Sequence, residues 1–491
     1  MFATSTANYS IWTLPVCHWP GHVTIDTLPD YVLLRIFHFV RVKYPSLGLD
    51  RLWRLSWRWH PLVHVCKRWR SVVFASPNFL DLRLVCGPRT RVELTGIWPP
   101  LPIIIMDVVD WPMPDEYDFA AIVHRTRLCE INLVHLTRSQ LQRLASAMQQ
   151  QFPALIHLVL DFDCYYRHSA PALSNEFLGG GAPRLQSLEL RSIPFPTLPK
   201  LLLTATDLVY LGLWNIPHSG YISPEVIVTG LAALVNLKFL AIEFESPSSC
   251  PDRGRKLSPA PINAILPVLS RFQFRGASEY LEDLVTRVDT PLLDTIWITF
   301  FHQLIFDIPQ LAQFMRRTTR FQALNEAHVD FDYYGVQVES LPPTRAFDEK
   351  SGLRILSKEL DWQLSSLVQV FTSFFPFIYM VEQLYIYPLR YLPSPWQDDI
   401  ERMQWLELFH PFSAVKNLYV SDKSAQFIAP ALHELVGGRV IDVFPALECL
   451  FLEKRLPSGP VQEAIEQFVA ARQLIGRPVA ISRWNIVRGT S

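Results

Sequence analysis

The feature that most constrains this chain of 491 residues is a short apolar template, LxxLxL, that recurs along most of its length. The last three template residues alternate apolar, variable, apolar, and this is the period of a strand with one buried face. One such segment could be any buried strand, but a long series at similar spacing indicates a repeat. Eleven copies begin at Leu128, Leu155, Leu185, Leu208, Leu237, Leu269, Leu293, Leu324, Val381, Val415 and Leu447.

A degenerate twelfth copy, Leu353-Leu356, has Lys358 in its third template position. With it included, first positions lie about 23 to 34 residues apart, which leaves room for one strand and one helical connection per copy. A unit of this size cannot bury its own leucines, so neighbouring units must stack. Strand pattern and spacing resemble irregular leucine-rich repeats. The resemblance implies an α/β fold, a horseshoe-shaped solenoid with a parallel sheet on its concave side.

The residue between the second and third template positions should form a column that faces the concavity, because it alternates with the buried residues. The early half of this column is small or polar, namely Val159, Glu189, Gly212, Ala241 and Gln273. The later half is aromatic and is our candidate surface for a protein substrate: Trp297, His328, Tyr385, Tyr419 and Phe451. Tyr210 and Phe239 lie one position before the second template residue of their copies. Clustered aromatic side chains are frequent anchors for protein ligands. The alternative is that the C-terminal tail or an insertion covers this column.

Charge separates a second module from the repeats. Residues 31–91 contain twelve Lys or Arg and only two acidic residues, a local charge of +10, although the whole chain carries −1. Such a division suggests modules with different partners. We expect a helix from Leu28-Pro29-Asp30, with Leu33, Ile36, Phe37 and Val40 on one face. A second helix should begin near Pro61 and bury Leu62, Val65, Cys66, Trp69 and Val73, before a short strand at Leu80, Leu82 and Leu84.

This basic segment resembles an F-box. The resemblance is carried by Leu28-Pro29-Asp30, by Leu33-Leu34-Arg35-Ile36-Phe37, and by Val65-Cys66-Lys67-Arg68-Trp69-Arg70 before Ser76-Pro77. A departure from the compact motif is the insertion Tyr44 to Arg58. The resemblance is to a variant typical of a large group of fungal F-box-like proteins, and it implies binding to the acidic Skp-type adaptor of a cullin–RING (SCF-type) ubiquitin ligase. The residues that it assigns to the adaptor face, or to its support, are Leu28, Pro29, Ile36, Phe37, Val65 and Trp69.

The function that follows from the resemblance is substrate recognition for the ligase, with an unknown protein substrate on the repeats. Two alternatives stay open. The chain could be a ligase-independent repeat scaffold whose helices cap the array. The basic module, with Trp53, Trp57 and Trp59, could also contact nucleic acid, although its arginines are scattered around the helices, and we do not expect this partner.

We expect neither an enzyme nor a cofactor or metal site, because the candidate signals are weak. Gly179-Gly180-Gly181 lacks the Gly-Lys-Ser/Thr of a phosphate loop, and His60 and His64 have no evident third ligand. Asp161-Phe162-Asp163 and Asp330-Phe331-Asp332 read as solvated acids in surface loops. Seven widely spaced cysteines without a CxxC pair favour a reducing compartment, cytoplasmic or nuclear. No secretory signal is evident, and residues 362–381 are too polar for a membrane span.

The sequence therefore predicts five segments. These are an N-terminal tail over 1–25, an F-box helical domain over 26–84, a connector or N-terminal cap over 85–127, a repeat solenoid of about twelve units over 128–455, and a C-terminal cap over 456–491.

Overall fold

The computed structural model divides the chain into two compact units, Met1–Val85 with Gly96–Pro102, and Cys86–Thr95 with Ile103–Ser491. The residues that it describes are 25–42, 60–77, 79–87, 101–106, 119–163, 169–249, 264–303, 305–318, 325–341, 351–357, 360–373, 378–388, 402–453 and 459–484. Most of the predicted tail 1–25, the insertion Tyr44 to Arg58, the three tryptophans within 53–59, and Leu324 lie outside these ranges. The two units are described separately below.

The first unit is helical. Its elements are a 3-10 turn Ile25–Thr27, the helices α1 Asp30–Val42, α2 His60–Val65 and α3 Lys67–Ala75, and the strand β1 Leu84–Cys86 at its boundary. Helix α1 begins at Asp30, whose carboxylate accepts a 2.7 Å hydrogen bond from Arg68 of helix α3. The buried apolar side chains form one cluster: Leu33, Phe37, Val63, Val72, Val73, Leu80, Leu82 and Leu101.

The predicted second helix is in fact two helices, because Cys66 has an extended backbone (φ −156°, ψ 171°). The Cys66 Sγ accepts a hydrogen bond from the backbone N–H of Trp69 and so caps helix α3. The break changes which side chains face the core, since the helical period restarts after it. Val65 and Cys66 are exposed instead of buried, and Val63 and Val72 contribute to the core.

Phe37 belongs to the core of this unit, with 1% of its surface exposed and its ring 4.7 Å from that of Trp69. Phe39, two residues later on the same helix, is 69% exposed. We therefore expect Phe37→Ala to destabilise the unit by about 3 to 5 kcal/mol, because it leaves a cavity. The matched change Phe39→Ala should alter stability by no more than about 0.5 kcal/mol.

Amide hydrogen exchange across Asp30–Val42 in the full chain is the measurement, since it reports on this unit separately from the repeats. Equal exchange rates in the two variants would contradict this assignment of the core.

The second unit contains one extended sheet. Its strands are β2 Ile103–Met106, β3 Leu128–Leu136, β4 His157–Phe162, β5 Ser187–Arg191, β6 Tyr210–Ile216, β7 Phe239–Phe244, β9 Arg271–Gly276, β11 Thr295–Phe300, β12 Glu326–Asp332, β13 Gly335–Leu341, β14 Ser351–Leu356, β15 Gln383–Pro388, β16 Asn417–Val420, β17 Cys449–Glu453 and β18 Ala480–Trp484. A separate parallel pair is formed by β8 Ala264–Ile265 and β10 Val288–Asp289.

Helices and 3-10 turns connect the strands. The helices are α4 Arg138–Ala147, α5 Leu198–Leu202, α6 Pro224–Leu231, α7 Ser278–Thr286, α8 Pro309–Arg317, α9 Leu360–Ser373, α10 Arg402–Phe409, α11 Asp422–His433 and α12 Pro460–Leu474. The 3-10 turns are Ala120–His124, Phe177–Gly180, His218–Gly220, Pro247–Ser249 and Ile378–Met380. Of the helices in the described ranges, none is long and apolar enough to cross a membrane.

The leucine template explains this sheet. In β4 to β7 the second and third template residues are buried and aligned, so that Leu158, Leu188, Leu211 and Leu240 form one continuous row. The residue before each strand continues the ladder of backbone hydrogen bonds, as in the bond from Ile156 N to Cys129 O. The prediction of stacked, mostly parallel strands joined by helices is confirmed, and this arrangement is consistent with a repeat-type solenoid.

The order of the strands is interrupted once. Beyond β11 the sheet continues with β14, β13 and β12 before β15, so β12 to β14 form an antiparallel meander inside the parallel array. The predicted twelfth copy is wrong in register, because Leu353 pairs with Ile298, a third template residue, and not with a first. Leu353 and Ile355 are the large apolar residues that β14 buries, together with Ser351 and Gly352, and Leu356 is only partly buried.

The sheet also extends past the segment 128–455 predicted for the repeats. Strand β2 pairs in parallel with β3, and β18 pairs in parallel with β17 after the helix Pro460–Leu474. The segments predicted as caps thus each contribute a strand to the sheet. Strand β18 was missed because residues 480–484 lack the template, and β2 was missed although Leu101-Ile104-Met106 has the apolar spacing.

Candidate protein-binding face

The predicted column is a continuous row across the sheet. We call the side formed by residues that alternate with the buried template positions the open face. Between Trp297 and His328 the meander inserts Gly352 and Glu339, and Ser482 follows Phe451. From β4 the row reads Val159, Glu189, Gly212, Ala241, Gln273, Trp297, Gly352, Glu339, His328, Tyr385, Tyr419, Phe451 and Ser482.

Four of the five predicted substrate-binding residues stack on one another. The ring centroids are 4.4 Å apart for His328 and Tyr385, 4.1 Å for Tyr385 and Tyr419, and 4.3 Å for Tyr419 and Phe451, with planes within 2° to 10° of parallel. These separations are slightly less than the spacing of neighbouring strands, about 4.8 Å, so the strand register itself places the rings face to face. We call these four residues the aromatic ladder.

Polar neighbours contact two rings of the aromatic ladder. The carboxylate of Glu326, two residues before His328 on the same face of β12, lies 2.8 Å from His328 Nε2. The hydroxyl of Tyr385 donates a 3.3 Å hydrogen bond to the side-chain oxygen of Gln383, again two residues earlier. Each contact joins residues of one strand, so β12 and β15 orient their own ladder rings.

The C-terminal strand covers part of the aromatic ladder. The indole of Trp484 packs edge-on against Tyr385 and Tyr419, with ring centroids 5.7 and 5.3 Å apart, and its N–H donates to the carbonyl of Val420. The alternative of a covering tail therefore holds for one edge of these rings. The ladder residues remain partly exposed.

Trp297 is separate from the aromatic ladder. Three strand spacings, about 14 Å, divide it from His328. Its indole occupies the space above Gly352, where a Cβ would lie only 2.4 Å from the Trp297 ring. Trp297 instead lines a cavity of about 680 Å³ with Arg275, Arg354 and Trp362 among its other walls.

A second aromatic cluster lies on the first half of the open face. The rings of Tyr210 and Phe239 stack at 4.4 Å, and the guanidinium of Arg271 on the next strand lies 5.4 Å from the Phe239 centroid. Arg191 covers Trp214 at 5.1 Å in the same manner. The sequence contained the signal for the stacked pair, because Tyr210 and Phe239 occupy equal template offsets in successive copies.

Burial changes the titration of polar groups on this face. Desolvation and the nearby Glu189 carboxylate raise the pKa of Tyr210 to about 12. Desolvation also raises the pKa of Glu243, although a 2.8 Å hydrogen bond from the Gln273 amide and the charge of Arg275 oppose the change. Glu243 is therefore destabilising in its ionised form.

The structure separates the predicted adaptor-binding residues into two groups. Leu28 and Trp69 pack against the core and Phe37 lies inside it, so these residues support the surface. Pro29 and Val65 are exposed or partly exposed, as is Ile36.

The sequence reasoning missed two aromatic residues on helix α1. Tyr31 is 71% exposed and Phe39 69% exposed. They are eight residues apart and share a helical face with Arg35, which is also exposed. They were missed because they lie off the apolar stripe on which the motif was recognised.

Three of the four paired acids belong to strands, contrary to the expectation of surface loops. Asp161 is part of β4, and Asp330 and Asp332 are part of β12. The Asp332 carboxylate accepts 2.7 Å hydrogen bonds from the backbone N–H groups of Tyr334 and Gly335, and forms an ion pair with Arg354. Its role is to hold the turn between β12 and β13. No cluster of His, Cys, Asp and Glu suited to a metal ion occurs within the described part of the chain.

Comparison with known proteins adds little to this geometry. No protein-family model matches the sequence, and the comparison with curated proteins returns no match. Among solved structures, the leucine-rich repeat-containing protein LegL7 from Legionella pneumophila is similar over 78% of this chain and 97% of that chain, at 12% identity and a TM-score of 0.28. A TM-score this low does not establish a shared fold. Register and burial are consistent with a repeat-type solenoid, and the F-box resemblance stays a prediction.

The shifted pKa of Glu243 leads to a testable pH dependence. Because its pKa is raised on folding, its contribution to stability is greatest below the unfolded pKa, near 4.3, and declines as pH rises through the folded pKa. The free energy of unfolding of Glu243→Gln, minus that of the wild type, should therefore increase from pH 4 to pH 7.

Urea denaturation at the two pH values measures this difference. The control is Glu245→Gln, which removes one carboxylate at an exposed position two residues along the chain. A difference for Glu243→Gln that decreases with pH would contradict the assigned direction.

Proposed function

We propose that this chain is a protein-interaction scaffold that binds a protein ligand on the aromatic ladder, and that it serves as the substrate-recognition subunit of a cullin–RING ubiquitin ligase. The observation that carries the first part is the stack of His328, Tyr385, Tyr419 and Phe451 on the open face. A column of four aromatic rings exceeds what the sheet needs, because the core already lies on its other side.

The geometry of the aromatic ladder defines its ligand. Ring faces inside the stack are covered by neighbouring rings, so the ladder presents mainly ring edges and the tyrosine hydroxyls to solvent. Ring edges carry the positive end of the aromatic quadrupole. They therefore suit backbone carbonyls, acidic side chains and apolar groups of a protein ligand. The near-parallel stacking also fixes the rings before binding, which reduces the entropic cost of association.

The ligase part of the proposal rests on the resemblance of residues 28–77 to an F-box and on the exposed side chains of the first unit. Pro29, Tyr31, Phe39 and Val65 provide apolar contact area, and the surrounding basic charge complements an acidic adaptor. Catalysis would then be proximity, in which the substrate bound to the repeats is held at high local concentration near the ubiquitin carrier.

The aromatic ladder can be tested while its ligand is still unidentified. The variant Tyr385→Leu/Tyr419→Leu keeps an apolar cover on the sheet and removes the stacked rings. In quantitative affinity purification we expect a defined set of proteins to fall at least fivefold in recovery, because aromatic anchors dominate such interfaces.

The control for this experiment is Tyr379→Leu, which alters an exposed tyrosine outside the ladder. Recovery of the ligand set should match that of the wild type. If the folded ladder variant recovers every protein as the wild type does, the ladder is structural only.

Adaptor binding is tested on exposed side chains. Truncation of the buried Phe37 would destabilise the unit, so that a loss of adaptor binding would not identify a direct contact. The variant Tyr31→Ala/Phe39→Ala should bind a purified Skp-type adaptor at least tenfold more weakly than the wild type. The matched control is Leu203→Ala/Val226→Ala, two exposed apolar residues of the repeat unit. It should bind like the wild type.

Biolayer interferometry with the full chain provides the measurement. Absence of adaptor binding by the folded wild type would remove the ligase part and leave the ligase-independent scaffold. The ladder experiment does not depend on this result, so the two parts can fail separately.

A further inference from the structure

The cavity beside Trp297 has a floor of polar side chains from four neighbouring strands. Glu243 of β7, Arg275 of β9, Thr299 of β11 and Arg354 of β14 are consecutive in register and lie on the open face. The volume of about 680 Å³ is within the range of small-ligand sites, roughly 300 to 1,000 Å³.

The two arginines flank Thr299 at a fixed distance. Arg275 and Arg354 are the register partners of Thr299 on its two neighbouring strands, so the Cα atoms of the two arginines are two strand spacings apart, about 10 Å. Arginine side chains of this reach can converge on one group above the threonine. The Thr299 hydroxyl between them is a further hydrogen-bond donor.

The guanidinium groups retain unused hydrogen-bonding capacity. The Nε atoms of Arg275 and Arg354 are both buried and have no hydrogen-bond partner among the described residues. Arg354 donates from Nη2 to Asp332 at 2.7 Å. Arg275 lies 5.7 Å from the ring centroid of Phe301. Both side chains are partly exposed, but a buried N–H without an acceptor is costly, and an oxyanion above the floor would supply one.

The lining has an excess of positive charge. It contains two arginines and one carboxylate, that of Glu243, whose pKa is raised by burial. The Glu243 carboxylate also accepts a hydrogen bond from the Gln273 amide on the neighbouring strand, which uses part of its capacity to bind an arginine. Asp332, which is not part of the lining, is the counterion of Arg354, so it is the charge of Arg275 that the lining leaves incompletely balanced.

The walls of the cavity are aromatic. Trp297 lies over Gly352, and Trp362 meets His302 edge-on with centroids 4.8 Å apart. Tyr334, on the turn fixed by Asp332, completes this side. Such walls fit a planar apolar body next to the anion-binding floor.

The geometry points to a binding site for an organic oxyanion: a carboxylate or phosphate, held by Arg275 and Arg354 over Thr299, on an aromatic ring held between Trp297 and Trp362. Guanidinium groups bind both oxyanions through charge-assisted hydrogen bonds. The ligand is either a free small molecule or the side chain of a bound protein, because both present the same chemistry. The site is independent of the aromatic ladder and of adaptor binding.

Isothermal titration calorimetry of the full chain with phenyl phosphate tests the site. Benzyl alcohol, which has the ring without the charge, and inorganic phosphate, which has the charge without the ring, are the comparison probes. We expect phenyl phosphate to bind at least tenfold more tightly than either. Equal or tighter binding of inorganic phosphate, or no binding of phenyl phosphate by the folded chain, would overturn the proposal.

The variant Arg275→Gln should weaken phenyl phosphate binding at least tenfold. Its matched control is Arg271→Gln, since Arg271 lies on the same strand and face but is exposed outside the cavity. A second variant, Trp362→Leu, tests the aromatic wall from an exposed position and should weaken phenyl phosphate more than inorganic phosphate. Equal affinities for Arg275→Gln and Arg271→Gln would refute the assignment even when both variants are folded.

A third probe distinguishes the two sources of the ligand. A pentapeptide with phosphotyrosine between glycines should bind more tightly than phenyl phosphate if the ligand belongs to a protein. Weaker binding of the peptide identifies a free small molecule. Competition between peptide and phenyl phosphate is expected in both cases, and its absence would contradict a shared site.

Discussion

The structure depends on one constraint: each repeat must bury its leucines against its neighbours, and it can do so only in a fixed register. Leu158, Leu188 and Leu211 align because one residue of slip would turn every leucine to solvent. The same constraint aligns the residues on the open face, whose side chains have no part in the core. Rows of open-face residues are therefore a by-product of core packing. The residues of these rows can therefore be selected for binding a ligand with little effect on the stability of the fold.

The separation between core residues and open-face residues explains which features of the structure could be predicted from the sequence. The template predicted the strands, and alternation predicted the column through Tyr385 and Tyr419, because both depend only on local period. It did not predict that Trp297 lies apart, since strand order in the meander is set by long-range pairing. The error at Leu353 has the same origin: β14 follows β13 in sequence but also pairs with β11, which is distant in sequence. Cys66 was placed inside a helix because the apolar spacing of the sequence continues through it and gives no sign of the break.

The meander formed by β12 to β14 creates the cavity beside Trp297. It brings Gly352 next to Trp297 and Arg354 next to Thr299, two contacts that a simple succession of repeats would not produce. Gly352 provides the space for the indole, and Asp332 orients Arg354 from the neighbouring turn. In a simple parallel array the polar open-face residues would form an open surface and not the floor of a cavity. The inserted strands and the helix Leu360–Ser373, which carries Trp362, provide the walls of the cavity.

The aromatic ladder and the cavity lie on one face and within reach of one ligand. From Arg354 on β14 to Tyr385 on β15 there are three strand spacings, about 14 Å, a distance that four or five extended residues can span. The two surfaces differ in kind: the ladder offers ring edges over a broad strip, and the cavity offers two cations in an enclosed space. A protein segment that engaged both would obtain area from the first and selectivity from the second, because a ligand without an oxyanion leaves the buried arginine Nε atoms without an acceptor.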